Sequence, residues 1–239
     1  MVKPSDTAIA PGTSIRRHRV ATRIWHWVNA VAIFVLLGSG LGISNAHPHL
    51  YWGVYGANFD HAWTHLPRMP GWITIPASYN LALSRRWHLF FALVLGFGLL
   101  AYMVASLLNR HFVQRLRLRR RELTSAHVWA DFKAHLNLRF HDPENPRDYN
   151  IFQKLSYILI LFVALPLAIL TGIALSPGMN AGWPWVLDVL GGRQSARSVH
   201  FITAVAIGGF TVVHLALVIL AGTWNEMRSM VTGRWRVPG

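Results

Sequence analysis

Cysteine is absent from the 239 residues, which excludes disulfides, thiolate chemistry and cysteine-held iron–sulfur clusters. Acidic residues number only nine, and none lies well inside the long apolar runs. Carboxylate-based metal sites therefore lack their ligands there. No internal repeat or low-complexity tract interrupts the chain. Basic residues are nearly missing from the stretch Asn45 to Leu83, where Trp, Tyr, Pro and Gly dominate.

What is present is apolar. A chain that is 53% hydrophobic and 13% charged, with 11 Trp, falls in the membrane class. A bilayer crossing needs about 20 apolar residues, and four runs reach that length, at about 22–44, 86–108, 153–175 and 196–222. The expectation is an all-α membrane protein: one four-transmembrane-helix bundle over residues 1–239, with no second domain. The first run follows Arg16, Arg17, Arg19 and Arg23, as a signal peptide's core does, but it is too long and lacks a small-residue cleavage site. It is expected to stay as a helix.

The net charge of +14 raises the question of nucleic acid, and the distribution of the 23 basic residues answers it. Eighteen lie in the N-terminal tail, in the loop between the second and third runs, at Lys154, or after the fourth run. The other five are Arg68, Arg85, Arg86, Arg193 and Arg197. That alternation follows the positive-inside rule, placing both termini and the 109–150 loop in the cytoplasm and the 45–83 loop outside. Because topology accounts for "RLRLRRR" (Arg115–Arg121), no nucleic-acid partner is expected. In the inner loop, Val128, Phe132, Leu136 and Phe140 recur at helical spacing and predict an interfacial amphipathic helix. Pro166 predicts a kink in the third helix. The aromatic outer loop reads as membrane-surface anchors or as a docking surface for an extracytoplasmic partner.

Four of the 13 histidines fall inside predicted spans, where a polar group without a partner is costly. They are His26, His88, His200 and His214. Fourteen residues of helix separate His200 from His214 by roughly 21 Å and return to within about 40° of the same face. The topology sets His88 level with His200 toward the outside, and His26 level with His214 toward the cytoplasm. Two bis-imidazole sites result. A haem iron, which keeps four ligands on its macrocycle and leaves two axial positions, suits them better than zinc. Gly40 stands fourteen residues after His26 and bares the backbone at the outer depth, a clearance for a macrocycle. Arg85 and Arg86 precede His88, and Arg193 and Arg197 precede His200; guanidinium forks match haem propionates. A transporter relaying protons or metal through intramembrane histidines is the alternative, as is a cofactor-free anchor; carboxylates near the midplane, which a transporter uses, are not evident.

The segments "TRIWHWVNA", "RRWHLFFA" and "SVHFITAVAIGGFTVVH" carry these histidines. With them the chain resembles the di-haem b-type cytochrome subunits that anchor nickel–iron hydrogenases and formate dehydrogenases. Within that family "NPRDYNIFQKLSY" and "GGRQSARSVHF" are similar to the thiosulfate-reductase-type branch, usually paired with a molybdopterin oxidoreductase. The resemblance implies two haem b groups, an outer one on His88 and His200 and an inner one on His26 and His214. It implies electron transfer in a bacterial inner membrane between an extracytoplasmic redox subunit, a molybdopterin oxidoreductase or a cytochrome c, and a membrane quinone, ubiquinone or menaquinone. Beyond quinone redox chemistry the chain then has no catalytic site of its own. Relatives bind quinone near the inner haem, and at the start of the third helix Asn150 and Gln153 are the candidates. A homo-oligomer is compatible with this reading. His47 and His49 in "AHPHLYW" have no counterpart in the family and stand as a further metal or partner site.

Overall fold

The computed structural model describes residue 10 and residues 12–57, 60–109, 112, 116–136 and 150–237. In chain order the elements are β1 (Ser14–Arg16), α1 (Val20–Ala46), β2 (His49–Leu50), β3 (Thr64–His65), α2 (Leu81–Leu108), α3 (Ser125–Leu136), α4 (Ile151–Leu175), α5 (Pro177–Gly182), α6 (Trp185–Val189), α7 (Arg193–Leu220), α8 (Thr223–Thr232) and β4 (Arg234–Arg236). The protein is mostly helical, and α1, α2, α4 and α7 are long and apolar enough to cross a membrane. Their outward side chains are apolar: Phe97 is 68% exposed and Val212 69%. That inversion of a soluble protein's surface suits lipid.

Local chemistry sets the helix starts. α2 begins at Leu81, ahead of the expected 86, because the Asn80 side chain accepts the Leu83 N–H at 3.0 Å. α4 begins at Ile151, where Asn150 and Gln153 form a reciprocal box: Gln153 N–H donates to Asn150 Oδ1 at 2.9 Å and Asn150 N–H to Gln153 Oε1 at 3.4 Å. Asp131, on α3, accepts the Ile151 N–H at 3.1 Å. The irregularity expected at Pro166 takes the form of a π-helical turn over Ile160–Ala164. Proline removes one donor from the helical ladder, and the widened turn just before it absorbs the mismatch. α3 occupies the place of the expected amphipathic helix, with Trp129 and Phe132 exposed and stacked on each other. Phe140 and residues 141–149 lie outside the described residues.

The chain divides into two compact units. The first holds the residues up to His26, Val104–Leu159 and Val212 onward. In it β1 and β4 pair antiparallel, Ile15 opposite Trp235, so the two ends of the chain are tied together. Trp235 is buried; its indole N–H donates to Glu226 Oε1 at 2.8 Å, and the Arg17 guanidinium lies 5.0 Å over its ring. Gly233 turns the chain from α8 into β4 at φ +80°, and a Cβ there would meet the His18 carbonyl oxygen at 2.8 Å. Lys154 at the start of α4 is buried, and its ammonium donates to both Glu122 carboxylate oxygens at 2.9 Å.

The second unit holds Trp27–Met103 and Ile160–Thr211. Gly38 and Gly42, four apart on α1, let neighbours come close: a Cβ at Gly42 would collide with Ser84 Oγ on α2, and one at Gly38 with the Ile75 side chain. The outer loop folds back onto the helices, with Ile75 N–H donating to the Gly38 carbonyl at 3.1 Å. Asn45 holds the loop further on, through Met69 N–H at 2.7 Å and Met69 C=O at 2.9 Å.

Burial pushes the Glu122 carboxyl up, but the Lys154 hydrogen bond and charge, with the Arg119 N–H, outweigh it and hold it below the usual carboxylate range. A lowered folded value stabilises the fold above the ordinary carboxylate value of about 4.3, and that stabilisation is lost as pH falls through the lowered one. Glu122→Gln leaves a buried ammonium unpaired and is expected to destabilise the detergent-solubilised protein by about 3 kcal/mol. Lys154→Met combined with Glu122→Gln is expected to restore most of that loss, read as the thermal midpoint of each variant at neutral pH.

Candidate functional site: two facing imidazole pairs

Each unit contains one pair of histidines contributed by the long helices. In the first unit His26, nearly two turns into α1, and His214, on α7, face each other with ring centroids 6.3 Å apart and planes inclined at 57°. In the second, His88 on α2 faces His200 on α7 at 6.0 Å and 68°. These are the pairings expected from helix depth. Two imidazoles that share one metal through bonds of about 2 Å have ring centroids roughly 6 Å apart. Both pairs therefore fit a two-ligand axial arrangement around a single iron. Among the described residues no group of three or more His, Asp or Glu is placed to hold a metal ion. An iron whose other ligands come from a macrocycle suits such pairs better than a metal held by protein alone.

Two hydroxyls orient the rings of the second pair. Ser39 Oγ on α1 lies 3.0 Å from His88 Nδ1, and Thr171 Oγ1 on α4 lies 2.9 Å from His200 Nδ1. Both hydroxyls are 0% exposed, so neither imidazole contact competes with solvent. The residue after each is a glycine facing the same ring. A Cβ at Gly40 would lie 3.6 Å from His88 Cε1, and one at Gly172 3.5 Å from His200 Cε1. Backbone is thus bare beside the His88 ring on α1 and beside the His200 ring on α4. Gly40, the glycine expected at this depth, lies beside His88. Ser39, Thr171 and Gly172 were missed, although "SG" at Ser39–Gly40 and "TG" at Thr171–Gly172 repeat one pattern on the first and third spans.

The arginines divide. Arg197 donates to the carbonyls of His47 and His49 and, at 3.3 Å, to Gln194 Oε1, so it ties the outer loop to α7. Arg193 donates to the Leu175 carbonyl at 3.3 Å. Arg85 and Arg86 are exposed. Partial burial, then the Arg197 and Arg85 charges, lowers the His47 pKa from its usual value, which keeps the imidazole neutral at neutral pH. His49 stands opposite His65 in the β2–β3 pair, their ring centroids 4.4 Å apart. Asn150 and Gln153 sit together as the capping box of α4, in the same unit as His26 and His214.

The outer loop is fastened close to His200. Ser198 Oγ donates to the Tyr51 carbonyl at 2.6 Å and accepts the Trp63 indole N–H at 2.8 Å. Trp52 stacks on Trp63 with centroids 5.7 Å apart. Ser195 Oγ accepts the Gly53 N–H at 2.7 Å, and Gly192, at φ +101°, comes so near that a Cβ would lie 2.6 Å from the Gly53 carbonyl oxygen. Part of the aromatic loop is thereby held by contacts within the chain, beside the membrane-anchor and docking-surface readings that the sequence left open.

Residues 17–233 match the family model described as prokaryotic cytochrome b561. A Cupriavidus necator protein named as a probable Ni/Fe-hydrogenase B-type cytochrome subunit is 27% identical, over 95% of this chain and 91% of its own length. A Rhodobacter capsulatus protein of the same name is 23% identical, over 85% and 73%. An Azospira oryzae protein carrying the name of subunit YedZ1 of a protein-methionine-sulfoxide reductase is 26% identical, over 83% and 87%. No solved structure matches the chain.

Ser198→Ala removes the acceptor of a tryptophan N–H and a donor to the loop backbone in one step. The expected result is a loss of about 1–3 kcal/mol, set by the desolvated groups left behind, with faster proteolysis in the 51–63 segment and a shift in tryptophan emission. Ser198→Thr, which keeps the hydroxyl, is expected to retain more of the attachment.

Proposed function

Since the chain belongs to the prokaryotic cytochrome b561 family, it is a b-type cytochrome of electron transport, and we propose that it carries two haem b groups, one on each histidine pair. The observation that carries this reading is the facing of His26 with His214 and of His88 with His200, each at the separation of two axial ligands. Bound haem supplies a reversible one-electron iron centre at each position. The protein's part is to hold an imidazole on either side of each iron and to leave Gly40 and Gly172 clear of the macrocycle. Arg85, Arg86 and Arg193 are the proposed partners of propionates on the outer haem. Arg197 is the weakest of the four candidates, because loop carbonyls already take its donors.

The proposed orientation has both termini and α3 on the cytoplasmic side of a bacterial inner membrane, with α3 lying along the surface. The excess of basic residues in those segments supports it. So does the β1–β4 pairing, which brings both ends of the chain to one side. The His88–His200 haem is then the outer one and exchanges electrons with a redox subunit outside the membrane. Named relatives belong to a hydrogenase and to a sulfoxide reductase, so the proposed partner is a catalytic oxidoreductase subunit, of the molybdopterin or hydrogenase class. The His26–His214 haem is the inner one, serving a membrane quinone that binds beside Asn150 and Gln153.

Pyridine haemochrome assay of the purified chain is expected to give two haem b per polypeptide, with b-type bands on reduction. His88→Ala or His200→Ala is expected to leave one haem, and so is His26→Ala or His214→Ala. A folded, colourless preparation from haem-replete cells overturns the proposal. With a partner subunit supplied, every one of these four variants is expected to lower quinone-linked activity at least tenfold, because the chain of two centres is broken.

A further inference from the structure

We infer that Ser39 and Thr171 are positioning residues that fix the outer axial imidazoles in one tautomer and hold the potential of that haem down. The inference rests on the proposed di-haem reading and goes beyond it, since it concerns two side chains on the helices that supply no ligand to that pair.

A hydroxyl has one proton, and its destination decides the tautomer. Ser39 Oγ lies 2.6 Å from the Val35 carbonyl oxygen and 3.2 Å from that of Leu36, against 3.0 Å to His88 Nδ1. The shortest of these contacts is to a carbonyl, which can only accept. The hydroxyl proton therefore goes to the helix backbone four residues back, a common arrangement for serine and threonine in apolar helices. What remains toward His88 is a lone pair, so Nδ1 carries the hydrogen. Thr171 repeats the geometry: 2.7 Å to the Leu167 carbonyl oxygen, 3.1 Å to that of Ala168, and 2.9 Å to His200 Nδ1. With Nδ1–H committed on both sides, each ring presents Nε2 as its bare lone pair, the nitrogen that an iron takes.

The consequence is electronic as well as steric. An acceptor on the distal N–H of a ligating imidazole raises its basicity and fixes its ring plane. A more basic ligand favours the ferric state and so lowers the midpoint potential. Because Ser39 and Thr171 act on opposite ligands of one iron, their effects add on a single centre. Each is followed by the glycine that clears the ring edge, so a two-residue step, hydroxyl then glycine, supplies both the acceptor and the space.

The test is a potentiometric titration of the purified di-haem chain, with the two components assigned from the one-haem histidine variants. Ser39→Ala and Thr171→Val are each expected to shift the outer component to higher potential, and the double variant to shift it further, while the inner component stays where it is. The low-spin ferric signal of the outer haem is expected to broaden as its ring planes lose their anchors. Ser39→Thr and Thr171→Ser keep the oxygen and are expected to titrate as the native chain does. Two haems per chain with an unmoved outer component in the double variant overturn the inference and leave the di-haem reading intact. Absence of haem from the native chain removes that reading itself. If Ser39→Ala and Thr171→Val lose the outer haem, Ser39→Thr and Thr171→Ser decide: a native potential in them supports the inference, and a displaced one overturns it.

Discussion

An imidazole inside an apolar helix has two nitrogens to satisfy and no water to satisfy them with, and the outer half of the site is built around that demand. His88 and His200 each have one nitrogen against a hydroxyl on a neighbouring helix. Each hydroxyl is itself satisfied by its own helix backbone. The chain of donors ends at carbonyls of α1 and α4, so no proton is left without an acceptor. The two rings themselves stand 6.0 Å apart, centroid to centroid. In the proposed reading, the nitrogen that each ring does not turn to a hydroxyl is the one left for haem iron.

That logic also explains which parts were readable beforehand. The four spans, the four histidines within them and their pairing follow from hydropathy and the rise of a helix; the structure has the spans within a few residues of the expected bounds and brings the same histidines together. Ser39 and Thr171 were not readable, because a serine or threonine in an apolar helix ordinarily looks complete once it bonds its own backbone. Only the position of a histidine on another helix reveals the second use of the oxygen. Asn150 and Gln153 show the opposite case. Their spacing is that of a capping box, a local signal present in the sequence, and the quinone role proposed for them is separate from it. The structure places them in that box at the start of α4, in the unit that also holds the inner pair.

The 45–83 loop shows what composition leaves out about aromatic segments. Tryptophan and tyrosine at the end of a membrane helix read as interface anchors on statistics alone. Trp63 also gives its indole proton to Ser198, two residues before His200, and Tyr51 is buried with its carbonyl on the same hydroxyl. Arg197, one residue further back, binds the carbonyls of His47 and His49. Successive residues leading to a ligand are thus occupied in holding the loop, which makes loop and ligand one mechanical piece within this unit. His47 and His49 matter here through their backbone oxygens, a role that no side-chain motif announces.

The absence of histidine from the third span looks like a gap when ligands alone are counted. At the outer pair it is a division of labour. α2 and α7 supply the nitrogens, while α1 and α4 supply a hydroxyl to orient each nitrogen and a glycine to keep the ring edge clear. A histidine at position 171 would put a third imidazole where the orienting oxygen stands, and a side chain at 172 would fill the space beside the ring.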